Sequence, residues 1–180
     1  ENVESGAIAL MHAYANPDHE RRAAAVLRAA LPDLWITLAS EVCPEIREYE
    51  RMSTASANAY VQPLMASYLA DLDDRLRAEG AQCPLYMMTS GGGLTTVETA
   101  RRHPIRLVES GPAGGAILAG RIAMECGLDQ VLSYDMGGTT AKICLIDDGR
   151  PQTSRTFEVD RQYRFTKGSG LPLRIPVIEM

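Results

Sequence analysis

The chain has 180 residues, 46% of them apolar and 23% charged, with a formal net charge of -5 and a pI near 5.2. That length and composition suit one or two globular domains able to bury a real core. The mixed, mildly acidic charge offers no basic face to nucleic acid or to an anionic membrane, and no apolar run approaches the roughly 20 residues a membrane span needs.

In chain order, Gly6 to Tyr14 is an apolar run too brief for a capped helix and predicts a buried strand that would contain His12. Asn16-Pro17 predicts a helix start: Asn16 can cap, Pro17 suits the first turn, and Asp18 and Glu20 favour the positive end of the dipole. Ala23, Val26, Leu27, Ala30 and Leu31 form its apolar stripe and Pro32 stops it. Leu34 to Ser40 predicts a second strand, and strand, helix, strand implies a crossover between parallel neighbours. A long helical region from about Ile46 to Glu79 follows, which Pro63 is expected to kink or split. The charged run of Glu41, Glu45, Arg47, Glu48, Glu50 and Arg51 at its start reads as a solvated or lobe-bridging face. Gly80 is placed to stop the helix in the left-handed conformation.

Pro84 to Thr89 predicts a strand that runs into Ser90-Gly91-Gly92-Gly93, then a short helix over Val97 to Arg102 ended by His103-Pro104. Ile105 to Glu109 is expected as another short strand. The run Ser110-Gly111-Pro112-Ala113-Gly114-Gly115 opens a helix that reaches about Cys126, with Gly127 as its stop. Val131 to Ile146 predicts two strands around Gly137-Gly138, and Thr153 to Val159 a third after the turn at Asp147 to Arg150. Arg161 to Met180, rich in Arg, Lys, Gly and Pro, is expected as a loop or extended arm. The four cysteines, Cys43, Cys83, Cys126 and Cys144, form no C-x-x-C pair, so neither zinc nor dithiol chemistry is written in their spacing. His12, His19 and His103 have no partner at a catalytic spacing and are read as structural. The absence of a basic and apolar leader places the protein in the cytoplasm on this reading.

Three glycine-rich turns carry the chemistry. Each has a plain reading: a flexible turn at Ser90 to Gly93, close helix packing at Gly114 and Gly115, a hairpin turn at Gly137-Gly138. Together in one α/β segment they suggest a phosphate site. Backbone amides of Gly137, Gly138, Thr139 and Thr140 can form an anion nest, and the two threonine hydroxyls add donors. Asp135 at the strand end can hold Mg²⁺ directly or through water. The Ser110-Gly111-Pro112 turn presents the positive end of the following helix. No Walker loop, dinucleotide fingerprint or G-x-S-x-G elbow is present.

Asp135 through Lys142, with Ser110 to Gly115, Thr89 to Gly93, Ser40 to Arg51 and Tyr14 to Arg22, resembles the hydantoinase A, 5-oxoprolinase and acetone carboxylase β-subunit family, in order and over nearly the whole chain. The resemblance implies an α/β fold that is part of a two-lobe ATPase of the actin and sugar-kinase type, with a mixed sheet, flanking helices and a long inter-lobe helix. Residues 1–58 would end the first lobe and residues 59–180 open the second, with the boundary near Asn58 to Pro63.

It implies Mg²⁺- and ATP-dependent hydrolysis of a cyclic amide of the hydantoin or 5-oxoproline type, by phosphorylation of the carbonyl oxygen and ring opening. A sister branch carboxylates ketones, and a non-catalytic binding or regulatory module of the same fold is the third alternative. Asp135 would serve the metal and, with Lys142, the chemistry. Gly137, Gly138, Thr139 and Thr140 would hold the phosphates, and Gly111, Gly114 and Gly115 would line the nucleotide side. Lys142 departs from the acidic residue many members carry there, and offers a cation to phosphate or carboxylate instead. Expected partners are a small cyclic amide or ketone and a second subunit of the hydantoinase B type, in a homo- or hetero-oligomer. Members open with a first-lobe Asp-x-Gly-Gly-Thr turn that these residues do not contain. The 180 residues alone are therefore expected to carry half an ATP site and to turn over little or nothing.

Overall fold

In the computed structural model, residues 3–138, 140–163 and 166–180 are described. Strand β1 (Ser5–Ile8) lies parallel to β2 (Trp35–Leu38), with Ser5 opposite Trp35, and α1 (Asp18–Ala30) makes the expected crossover. Asn16 accepts the Asp18 N–H at 3.0 Å, which secures the first turn as its type predicts. Glu20 does more than favour the dipole. Fully buried, it accepts the N–H groups of Leu10 and Ser40, each at 2.9 Å, and ties the loop after β1 to α2 (Ala39–Val42). The expected strand through Tyr14 ends at Ile8; His12 sits exposed in a turn at φ 56° rather than in a strand.

Helix α3 (Glu48–Ala78) runs unbroken through Pro63, so the helix is not split there. Its 58–66 stretch is gripped on two sides, with Asn58, Ala59, Gln62 and Ala66 buried, so packing holds a helix that has lost one backbone donor. β1 and β2 lie against it, as do α4 (Val97–Arg102) and the 3₁₀ turn Pro104–Leu107. The charged run at its start is not simply a solvated face. Arg51 is fully buried, donates to the Leu10 and Glu45 carbonyls at 2.9 Å, and stacks over Tyr14 with the guanidinium carbon 5.5 Å from the ring centroid.

Strand β3 (Tyr86–Met88) turns back antiparallel into β4 (Leu94–Thr96), a strand the glycine-rich reading had passed over. Thr96 then caps α4 by accepting the Thr99 N–H at 3.2 Å. Ile105 to Glu109 is not a strand: Pro104 opens the 3₁₀ turn and Ile105 is buried. Helix α5 (Ser110–Glu125) lays Ala113, Ala116, Gly120 and Ala123 on the meander β5 (Gln130–Met136), β6 (Ala141–Asp147) and β7 (Arg150–Pro151).

The last twenty residues are a correction. Instead of an arm, they supply β10 (Leu171–Leu173), paired with β9 (Phe157–Val159), and β11 (Val177–Ile178), paired with β8 (Thr153–Ser154). Leu173, Ile175 and Val177 are buried with Val42, Cys43 and Ile105 in one core cluster, and Ile178 joins Ala113, Ala116, Cys144 and Ile146 in another. The α/β class holds. The described strands, however, form five small sheets rather than one mixed sheet, because most are only two to four residues long. Among the described residues no helix is long and apolar enough to cross a membrane.

Candidate functional site

Alternation along the β5–β6 hairpin sorts its residues by face. Val131, Ser133 and Asp135 stand opposite Ile146, Cys144 and Lys142, and Cys144 and Ile146 are buried beneath α5. The same alternation carries the pattern outward past the helix, so Asp135 and Lys142 emerge at the end of this face, next to the turn. Burial raises the Cys144 thiol above its ordinary value, consistent with an inert structural thiol.

The turn itself is short. The Gly137 N–H donates to the Thr140 carbonyl at 3.0 Å, so this amide closes the turn and is not among the free donors of a nest. A Cβ built on Gly137 or Gly138 would meet nothing within 4 Å, and neither residue has a positive φ. Neither backbone strain nor a neighbour among the described residues requires glycine there. Thr139 lies outside the described residues. Thr140 is exposed.

Helix α5 begins at Ser110, so Gly111, Gly114 and Gly115 lie in its first turns. A Cβ on Gly111 or Gly115 would again meet nothing within 4 Å, whereas at Gly114 it would touch Met88 at an ordinary 3.8 Å. Gly114 therefore faces β3, and Gly111 and Gly115 face open space. The third glycine-rich turn behaves differently. Gly92 has φ 81° and a Cβ there would come within 2.8 Å of Ile117, while one at Gly91 would lie 3.2 Å from Pro176. Ser90 is buried, donates its hydroxyl to the Arg106 carbonyl at 2.8 Å and accepts the Ile178 N–H through its own carbonyl at 2.8 Å. This turn is packing.

A cleft of about 540 Å³ opens between the start of α5, the start of β6 and the β8–β11 region. It brings together Thr140 and Lys142 among the sequence candidates, with Glu109, Glu158, Arg161, Lys167 and Glu179. The glycines and Asp135 stand outside its lining. Cations and carboxylates in the cleft are matched: Lys142 pairs with Glu109, Arg161 with Glu158 at 2.9 Å, and Lys167 lies 3.9 Å from Glu179. Desolvation in the cleft lowers the Lys142 ammonium below its ordinary value. An anion entering the cleft would compete for these cations, which is chemistry suited to phosphate or carboxylate. Among the described residues no group of three His, Cys, Asp or Glu side chains could hold a metal by itself. A divalent ion there would need a ligand's own oxygens, as magnesium commonly does.

Glu109, Arg161 and Lys167 were not singled out from sequence. Glu109 is remote from Lys142 along the chain, and only the seating of α5 on the hairpin joins them. The strand character of the last twenty residues was the available signal for the cleft's far wall.

Residues 51–180 match the hydantoinase/oxoprolinase family. The whole chain is 36% identical over 183 residues to an uncharacterized protein of Methanocaldococcus jannaschii, of which it covers 27%. It is 39% identical over 173 residues to the caprolactamase subunit alpha of Pseudomonas jessenii, with 96% of this chain and 24% of that protein aligned. The crystal structure of the ATP-dependent caprolactamase from Pseudomonas jessenii superposes with a TM-score of 0.80 at 34% identity, over 98% of this chain and 24% of that one. The chain thus spans about a quarter of the length of these relatives.

Proposed function

Because the chain belongs to the hydantoinase/oxoprolinase family, we propose that it is part of an ATP-dependent enzyme that phosphorylates the carbonyl oxygen of a cyclic amide and lets water open the ring. The observation that carries this reading is the open space beside Gly137, Gly138, Gly111 and Gly115. Glycine inside a helix costs about 1 kcal/mol relative to alanine, and at Gly111 and Gly115 no contact among the described residues repays it. Close approach of a nucleotide would.

In this reading the Asp135 carboxylate holds Mg²⁺, directly or through water, and Gly138, Thr139 and Thr140 present amide and hydroxyl donors to phosphate. Gly137 contributes proximity, since its amide closes the turn. Gly111 and Gly115 admit the nucleotide to the start of α5, and Gly114 supports them from the packed side. Lys142 supplies a partly desolvated cation at the cleft mouth. When bound, Mg²⁺ would neutralise phosphate charge; the chain's own part is to position the phosphates and keep their surroundings cationic. A lactam is a cyclic amide, and the named relative that aligns over nearly all of this chain is a caprolactamase subunit. The cation at Lys142 also suits a carboxylate, which favours ATP-dependent ketone carboxylation as the second reading.

The division into a first-lobe part, 1–58, and a second-lobe part, 59–180, falls inside α3, which would serve both as a strut. We place the protein in the cytoplasm, in an oligomer with a second subunit of the hydantoinase B type. Calorimetry with Mg-ATP on the full-length protein and its Asp135→Ala variant tests the site. Binding that Asp135→Ala abolishes supports it; no binding by either form overturns it. ATP-dependent opening of a lactam, against ATP-dependent uptake of bicarbonate by a ketone, separates the two reactions.

A further inference from the structure

Asp135 and Lys142 face each other directly across the β5–β6 hairpin. Opposite charges at such positions ordinarily pair, because facing Cβ atoms lie about 4.5–5.5 Å apart. Here the Lys142 ammonium meets Oε2 of Glu109 instead, and among the described residues no ion pair or hydrogen bond reaches the Asp135 carboxylate. Glu109 precedes α5 in the left-handed region at φ 61°, and its side chain does not cap the helix behind it. A non-glycine residue pays for that conformation, and an acidic side chain at a helix N-terminus gains from capping or from the dipole. Glu109 forgoes the cap and turns into the cleft, where it shares the lining with Lys142 and Thr140.

We propose that Glu109 is a positioning residue that draws Lys142 away from Asp135 and so keeps the Asp135 carboxylate available to a divalent cation. This rests on the reading of Asp135 as the metal-holding carboxylate. A lysine bonded to that carboxylate would occupy its lone pairs and repel an incoming ion, whereas the Glu109–Lys142 pair is neutral and sits to one side. Replacing Glu109 by Gln releases Lys142 onto its cross-strand neighbour; removing Lys142 as well takes the competitor away.

Mn²⁺, titrated into the full-length protein in the presence of a non-hydrolysable ATP analogue whose phosphate oxygens complete its coordination and followed by electron paramagnetic resonance, reads the effect without turnover. Glu109→Gln is expected to weaken Mn²⁺ binding about fivefold, the size of one competing ion pair. Lys142→Met should bind as tightly as the wild type or tighter, and the double variant should match Lys142→Met. Unchanged affinity in Glu109→Gln, weakened affinity in Lys142→Met, or a double variant as weak as Glu109→Gln overturns the proposal. Asp135→Asn separates the two levels: if it binds Mn²⁺ like the wild type, the metal reading of Asp135 itself falls, whatever the Glu109 variants do.

Discussion

The Asn58 side-chain nitrogen lies 2.9 Å from the Thr37 hydroxyl and 3.1 Å from the Arg102 carbonyl oxygen, and its amide oxygen accepts the Ile105 N–H at 3.3 Å. One fully buried amide therefore holds β2, the end of α4 and the 3₁₀ turn against the middle of α3. Gln62, one turn on, repeats the arrangement: it accepts the Thr37 hydroxyl at 3.0 Å and donates to the Arg102 carbonyl at 3.2 Å. The two amides join the parallel β1–β2 pair to the segment that leads into α5.

Asn58→Leu keeps the branched shape, at a somewhat larger volume, and removes the three Asn58 hydrogen bonds. The Ile105 N–H loses its acceptor, and an unsatisfied buried group costs about 1–3 kcal/mol; the Arg102 carbonyl and Thr37 hydroxyl each lose one donor but keep their bonds to Gln62. The expected loss is about 3 kcal/mol in urea unfolding of the full-length protein. Asn16→Ala, which removes only the exposed bond from the Asp18 N–H to the Asn16 side chain ahead of α1, should cost at most about 1 kcal/mol. Equal losses for the two would mean that the buried network adds nothing to the helix it bridges.

Acid should find a second weak point at His103. Burial, with Arg106 and Arg102 close by, lowers its pKa from 6.5 to about 4, and its Nδ1 is buried without a hydrogen-bond partner. The folded chain thus favours the neutral ring, and the unfolded chain binds the proton more readily. Stability is full above pH 6.5 and is lost as the pH falls from there towards about 4. Thermal midpoints measured across that window should drop in the wild type and drop less in His103→Gln. Parallel curves for the two would remove His103 as the cause.

Much of the architecture was legible where one period dominates. The strand, Gly-Gly turn and strand layout from Val131 to Ile146 marked the hairpin, and the α1 stripe between Asn16 and Pro32, flanked by two strands, marked the crossover. Legibility failed where long-range partners decide. Arg51 reads as one charge in a solvated run, yet carbonyls from Leu10 and Glu45 allow it to be buried. Leu173, Ile175 and Val177 alternate as a strand should, but Pro172, Arg174 and Pro176 between them gave the segment the composition of a loop. The burial of that face depends on α3, where the Thr54 hydroxyl accepts the Arg174 N–H at 2.8 Å. For the candidate site, the motifs marked the turn and the helix start, while the Glu109–Lys142 pair depends on how α5 seats on the hairpin.

Glycines on α5 allow packing and ligand approach to be measured separately. A Cβ on Gly120 would lie 2.5 Å from the Gly149 carbonyl oxygen, a backbone atom in the turn before β7 that cannot swing aside. Gly120→Ala should therefore cost about 1–3 kcal/mol as overpacking. A Cβ on Gly115 would meet nothing within 4 Å beyond its own helix, so Gly115→Ala should leave stability unchanged or raise it by up to about 1 kcal/mol through helix propensity. If a nucleotide approaches that face, the added methyl stands in its path, and Gly115→Ala should weaken Mg-ATP binding in calorimetry while the protein remains as stable as the wild type. A Gly115→Ala protein that is more stable and binds nucleotide normally would remove the start of α5 from the nucleotide site and leave the Gly137-Gly138 turn as its remaining glycine contact.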